Sequence, residues 1–163
     1  MTELSTPRLR LTPVDAADRD FVLEILNDPG WLANIGDRGV RTAEQAGAYI
    51  VDRFQGKAWW VVRDTATAEP LGLAGIVPSR PGLDMPDLGY AFLARQSGRG
   101  YATEAAQVVL DHARGALGMS RLAAITTLAN TPSQRVLEKL GFVRGADRRL
   151  PDHDDDSAYF EIV

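Results

Sequence analysis

The 163-residue chain contains no cysteine. That removes thiolate nucleophiles, Cys-ligated zinc and disulfide staples from consideration. A chain of this length needs no staple, since a domain near 150 residues buries roughly 68–70% of its unfolded surface on folding. A cysteine-free single domain over residues 1–163 suits a reducing cytoplasm, which is the expected location. No apolar run approaches the ~20 residues of a membrane span, and Met1 to Pro7 carries neither a basic stretch nor an apolar one, so no signal peptide is expected. Cationic excess is lacking too. A formal net charge of −4 argues against nucleic acid as the main partner, which calls for a basic patch. Two common nucleotide motifs are missing as well. The pair Gly98 and Gly100 is followed by Thr103 where a dinucleotide fingerprint has its third glycine, and no Gly-Lys pair precedes Ser or Thr.

What is present is a glycine-rich turn, Arg95-Gln96-Ser97-Gly98-Arg99-Gly100-Tyr101-Ala102-Thr103-Glu104-Ala105, between a strand-like run (Leu88 to Leu93) and a helix-like run (Thr103 to Arg114). A helix start carries four backbone N–H groups without intrahelical partners and the positive end of the helix dipole. Glycines at 98 and 100 allow that backbone to approach an anion closely. The arrangement reads as a pyrophosphate cradle; an ordinary strand-to-helix turn is the alternative.

About 30 residues on comes Asn130-Thr131-Pro132-Ser133-Gln134-Arg135-Val136-Leu137-Glu138-Lys139-Leu140-Gly141-Phe142. Pro132 suits a first helical turn, Val136, Leu137 and Leu140 form an apolar stripe, and Gly141 ends the helix. A short amphipathic helix explains the leucines but not Asn130 and Ser133, two polar groups at the end of a hydrophobic strand. Upstream, Asp87-Leu88-Gly89-Tyr90-Ala91-Phe92-Leu93 sets an acid before an apolar-Gly-aromatic run, and Thr6 to Pro13 alternates apolar residues.

Together these segments resemble the GCN5-related N-acetyltransferase (GNAT) superfamily, over nearly the whole chain. Arg95, Gly98 and Gly100 match its coenzyme A signature [QR]-x-x-G-x-[GA], and Asn130 to Phe142 matches its N-x-x-S-x-x-V-L-E-K-L-G-F segment. The opening Thr6-Pro7-Arg8-Leu9-Arg10-Leu11 and the segment Asn34 to Thr42 resemble the branch that includes the ribosomal-protein alanine N-acetyltransferases. The elements read from the sequence agree in kind. Strands are expected near 8–12, 59–62, 71–77, 86–94, 121–127, 142–148 and 157–162, and helices over 15–27, 42–54, 100–117 and 131–140. The order β-α-α-β-β-β-α-β-α-β-β is a mixed α/β domain, and the resemblance implies one central, mostly antiparallel sheet flanked by helices. Asp28-Pro29-Gly30 reads as a helix stop, and Thr42 with Gln45 as a capping box.

The resemblance implies acetyl transfer from acetyl-CoA directly to a primary amine, a protein N-terminus or a small molecule, in a ternary complex. It assigns Asp87 as general base and Ser133 as proton donor to the departing sulfur. The tyrosine that many relatives carry past the Asn130 position is absent, since 134–136 are Gln, Arg and Val. Backbone N–H groups at Phe92, Leu93 and Ala94 are expected to face the thioester oxygen. Arg95, Gln96, Ser97, Gly98, Arg99, Gly100, Tyr101, Ala102 and Thr103 are expected to hold the pyrophosphate, and Asn130 to bind pantetheine or fix the local backbone. A non-catalytic acyl-CoA sensor is the alternative reading. No metal is expected. Asp152 to Asp156 lacks the calcium-loop pattern and reads as a hydrated hairpin tip, or as a wall of the acceptor cleft that draws in a cationic amine. His112 reads as a packed or exposed helix residue, and Trp31, Trp59, Trp60, Tyr90 and Tyr101 read as core or cleft wall. Acceptor choice is expected to lie in loops 29–42 and 148–157. No motif sets the oligomeric state; a homodimer is compatible with a chain of this size.

Overall fold

The computed structural model describes residues 2–163. Among the described residues the strands are β1 (Leu4–Ser5), β2 (Leu9–Pro13), β3 (Trp59–Asp64), β4 (Pro70–Val77), β5 (Asp87–Phe92), β6 (Leu122–Thr127), β7 (Val143–Arg144) and β8 (Ser157–Ile162). The helices are α1 (Arg19–Leu26), α2 (Pro29–Asn34), α3 (Ala43–Arg53), α4 (Tyr101–Arg114) and α5 (Thr131–Lys139). All eight strands form one open sheet in the order β1-β2-β3-β4-β5-β6-β8-β7. Every pairing is antiparallel except that of β5 with β6.

Strand alternation divides the apolar residues between two faces. One face carries Leu9, Leu11, Trp60, Val62, Ile76, Leu88, Ala124 and Phe160, which pack with Ala106, Val109 and Leu110 of α4 and Leu137 of α5. The other carries Val61 and Leu73 against Phe21, Val22 and Ile25 of α1 and Ala46 and Ile50 of α3. The helices stay where their caps start them. Thr42 Oγ1 accepts from Gln45 N–H at 3.1 Å while the Gln45 side chain accepts from Thr42 N–H at 3.2 Å, the reciprocal box that opens α3.

The observed fold departs from the sequence expectation in three places. Asp28-Pro29-Gly30 ends α1 and also begins α2: Asp28 is its N-cap, accepting from Gly30 N–H at 3.1 Å, and Pro29 stands in the first turn, where its missing N–H costs nothing. The N-terminus adds a two-residue edge strand, β1, to the expected β2. The expected strand over 142–148 shrinks to Val143–Arg144 plus an isolated bridge, Arg148 to Ser157.

One feature of the sheet organises everything else. β5 stays in register with β4 from Asp87 to Phe92, and β6 stays with β8 from Leu122 to Thr127. Between β5 and β6, only Asp87 and Ala123 are registered, with Ala123 N–H donating to Pro86 O at 2.9 Å. Past that point the two parallel strands separate, leaving a wedge through the middle of the sheet with Asp87 at its apex.

Candidate active site

The hydrogen-bond phase of β5 decides which of its groups face the wedge. Leu93 N–H donates to Leu71 O at 3.1 Å. By the alternation of an antiparallel ladder, Gly89 and Ala91 then bond β4, while Tyr90 and Phe92 turn their N–H groups toward β6, where no residue is in register with them. Of the three expected oxyanion donors the geometry therefore leaves Phe92. Leu93 is taken by β4, and Ala94 N–H donates to the Asp28 carboxylate at 3.0 Å.

At the open end of the wedge the chain makes a 3₁₀ turn over Ala94–Gln96, held by Ser97 Oγ donating to Ala94 O at 2.6 Å. Gly98 and Gly100 follow at φ +76° and +79°, left-handed values that make glycine the natural choice at both. A Cβ at Gly98 would meet nothing within 4 Å, so the turn presents open backbone. Gly100 is the N-cap of α4 and no side chain caps that helix, which leaves the first-turn N–H groups of Tyr101, Ala102 and Thr103 available to an anion.

The cations around this turn differ from the expectation. Arg95 is drawn off by Glu24 at 2.8 Å and faces Glu69 at 3.8 Å. Arg8 stands nearer: it donates to Arg99 O at 2.9 Å, stacks 4.7 Å from the Tyr101 ring centroid, and would lie 3.4 Å from a Cβ at Gly100. Glu104, also bonded to Thr6, holds Arg8 at 2.8 Å. Arg99 makes no ion pair among the described residues.

Asp87 and Ser133 flank the wedge from opposite faces of the sheet. Asp87 is 1% exposed, and Arg80 reaches it with both Nε (3.2 Å) and an Nη (3.1 Å). Burial raises its pKa above the ordinary carboxylate value; the Arg80 hydrogen bonds and charge oppose this without cancelling it. Beside it the half-buried Trp59 ring lies across Gly75 and Gly89, where any Cβ would fall within 3 Å of the indole. At α5, Asn130 is the N-cap, its Oδ1 accepting from Ser133 N–H at 3.2 Å. Ser133 is thus capped, not capping. Its Oγ lies 3.0 Å from the Tyr90 hydroxyl, which also reaches Ser133 O at 3.1 Å.

Three residues line the site to which sequence reasoning assigns no role there: Tyr90, read as core or cleft wall, Arg8, read only as part of the opening strand, and Arg80. Only for Tyr90 was a signal present: three positions after Asp87 on a strand, it must point to the opposite face. His112 packs edge-on against Trp60 with ring centroids 5.5 Å apart, and Trp31 and Trp60 are buried. The acidic run bonds to its neighbours, Asp152 to the His153 ring Nδ1 at 2.9 Å and Asp156 to Arg149 at 3.0 Å. Above the wedge, Asn34 of α2 accepts from Thr127 Oγ1 of β6 at 3.3 Å, so α2 bridges the two separated halves of the sheet.

Comparison with known proteins bears on the family and the fold. The family described as acetyltransferase (GNAT) domain matches residues 8–143. The uncharacterised Bacillus subtilis protein YkkB is 31% identical over 147 residues, covering 86% of this chain and 84% of its own. An acetyltransferase of the GNAT family from Bacillus anthracis superimposes with a TM-score of 0.83 at 24% identity, over 99% of this chain and 98% of that one. RimL, a ribosomal L7/L12 α-N-protein acetyltransferase solved with coenzyme A, superimposes with a TM-score of 0.81 at 15% identity, over 99% and 98% of the two chains. At these identities the two structures speak for the fold.

Proposed function

The chain belongs to the GNAT acetyltransferase family, and from that premise we propose that it transfers acetyl from acetyl-CoA directly to a primary amine, a protein N-terminus or a small-molecule amine, in a ternary complex. The observation that carries this reading is the wedge between β5 and β6, with an uncapped helix start at its open end and Asp87 at its apex. Pyrophosphate oxygens accept from the N–H groups between Gly98 and Thr103, since those of the expected Gln96 and Ser97 already donate to Leu93 O at 2.8 Å and Ala94 O at 3.1 Å, with Arg8 and Arg99 as the cations at hand. The pantetheine arm enters the wedge, and the Phe92 N–H meets the thioester oxygen as negative charge develops there. Asp87, made more basic by burial, takes the amine's proton, directly or through water. As the C–N bond forms and the C–S bond breaks, the amine gives up one proton and the thiol gains one. Ser133 donates a hydrogen bond to the departing sulfur.

An α-amine of ordinary pKa about 7.7–8.0 needs less help from a base than a lysine near ~10.4. That favours a terminal amine as acceptor, and RimL, described as acting on an α-N-terminus, shares the fold. Among the described residues no helix is long and apolar enough to cross a membrane; we place the enzyme in the cytoplasm, whose reducing conditions suit a chain without cysteine. Thiol release from acetyl-CoA over a panel of peptides and small amines should rise with at least one acceptor, with the acetylated amine found by mass spectrometry. Acetyl-CoA binding without release across the panel would point to a sensor instead.

The cradle has its own test. Gly100→Val should weaken coenzyme A binding at least tenfold, about 1.4 kcal/mol, since a branched side chain would stand at the phosphate approach and strain a left-handed backbone position. Unchanged affinity by calorimetry would remove the pyrophosphate from this turn.

A further inference from the structure

We propose that Tyr90 is a positioning residue for Ser133: its phenol donates to Ser133 Oγ and so leaves the serine proton free to point at the sulfur of coenzyme A. This rests on the reading of Ser133 as the donor to sulfur. The two hydroxyls lie 3.0 Å apart, and the phenol oxygen is also 3.1 Å from Ser133 O. Two proton arrangements fit those distances. In one, Ser133 donates to Tyr90 and Tyr90 donates to Ser133 O, which consumes both protons inside the pair. In the other, Tyr90 donates to Ser133 Oγ, and the serine proton is the only one left over.

The second arrangement has the outward donor, and it is strengthened because an oxygen that accepts a hydrogen bond gives a better one. Burial holds the Tyr90 pKa up to about 12, so the phenol keeps its proton at any working pH. Neither partner is placed by chance. The Asn130 cap and Pro132 fix the backbone at Ser133, and the pleat of β5 points Tyr90 at the α4–α5 face. A lone serine hydroxyl would sample three χ1 wells; the phenol selects among them. The contact joins β5 to α5 across the face of the wedge, so this donor is built from both separated halves of the sheet.

Coenzyme A and desulfo-coenzyme A, which lacks the sulfur, report on this bond without any acceptor. At about pH 9 a thiol of ordinary pKa about 8.5 is mostly ionised, and calorimetric affinities for the two ligands give the preference for sulfur. Tyr90→Phe should shrink that preference about threefold and Ser133→Ala about tenfold, and the double variant no further than Ser133→Ala alone. Ser133→Thr, which keeps a hydroxyl, should still respond to Tyr90→Phe. In turnover, Tyr90→Phe should lower kcat and leave the KM for acetyl-CoA unchanged. A preference untouched by Tyr90→Phe but cut by Ser133→Ala would reduce Tyr90 to packing. Multiplicative losses in the double variant would give Tyr90 an independent role. A preference untouched by Ser133→Ala would end the serine-donor reading, and the role of Tyr90 with it, while thiol release with an amine would still stand for the transferase.

Discussion

Asp87→Asn should cut turnover about a hundredfold at about pH 7, the low end of what a positioned general base contributes, and much less at about pH 9. The difference comes from the amine. Near neutrality an α-amine of pKa about 7.7–8.0 is mostly protonated and depends on the enzyme to lose its proton; in alkali the solvent has already removed it. Burial raises the Asp87 pKa, and a carboxylate so raised is the stronger base. The same shift has a consequence for stability. The folded state holds this proton more tightly than the unfolded one, so stability falls as pH rises from the ordinary carboxylate value through the raised value, and is flat above it. Asparagine does not titrate, so the variant should lose that dependence. Near neutrality its Tm should move by no more than about 4 °C, roughly 1 kcal/mol for a chain of this size, because the Arg80 side chain, 24% exposed, can turn to water. A rate loss constant across the pH range would make Asp87 a structural partner of Arg80.

The same pair shows where sequence reading stops. Features set by neighbours along the chain were legible: the α3 capping box, the apolar stripe of α5, the glycine turn before α4, and from their resemblance the family and its fold. Each is settled by propensity and period within a dozen residues. What the sequence withheld is set by contacts between distant segments. Nothing in Leu88 to Phe92 or Leu122 to Thr127 says that two parallel strands meet at one residue pair and then part. Arg95 sits in the expected signature, yet Glu24, 71 positions away, draws it aside. Asp28 takes the Ala94 N–H from 66 positions away, and Tyr90 finds Ser133 across 43. Pro29 misled for a local reason. A proline after Asp reads as a stop, but the same pair serves as N-cap and first residue of the next helix.

Ser133→Ala tests the other side of the wedge, and the structure sharpens what it should show. A serine in the first turn of a helix is often a cap, and losing a cap costs about 1 kcal/mol. Here Asn130 holds that place, so the hydroxyl at 133 is released from it. What alanine removes is the contact with Tyr90 and the bond to the departing sulfur. The first is one neutral hydrogen bond, about 0.5–1.5 kcal/mol, so Tm should fall by no more than about 6 °C. The second is made to a group that becomes charged only as the C–S bond breaks. It is worth about 1.5–3 kcal/mol, so kcat and kcat/KM should drop together about 10- to 150-fold while acetyl-CoA affinity stays nearly intact. Rapid-quench measurement of the first turnover should show the loss in the chemical step. Wild-type turnover accompanied by a lower melting temperature would leave Ser133 a packing residue and pass the donor role to solvent.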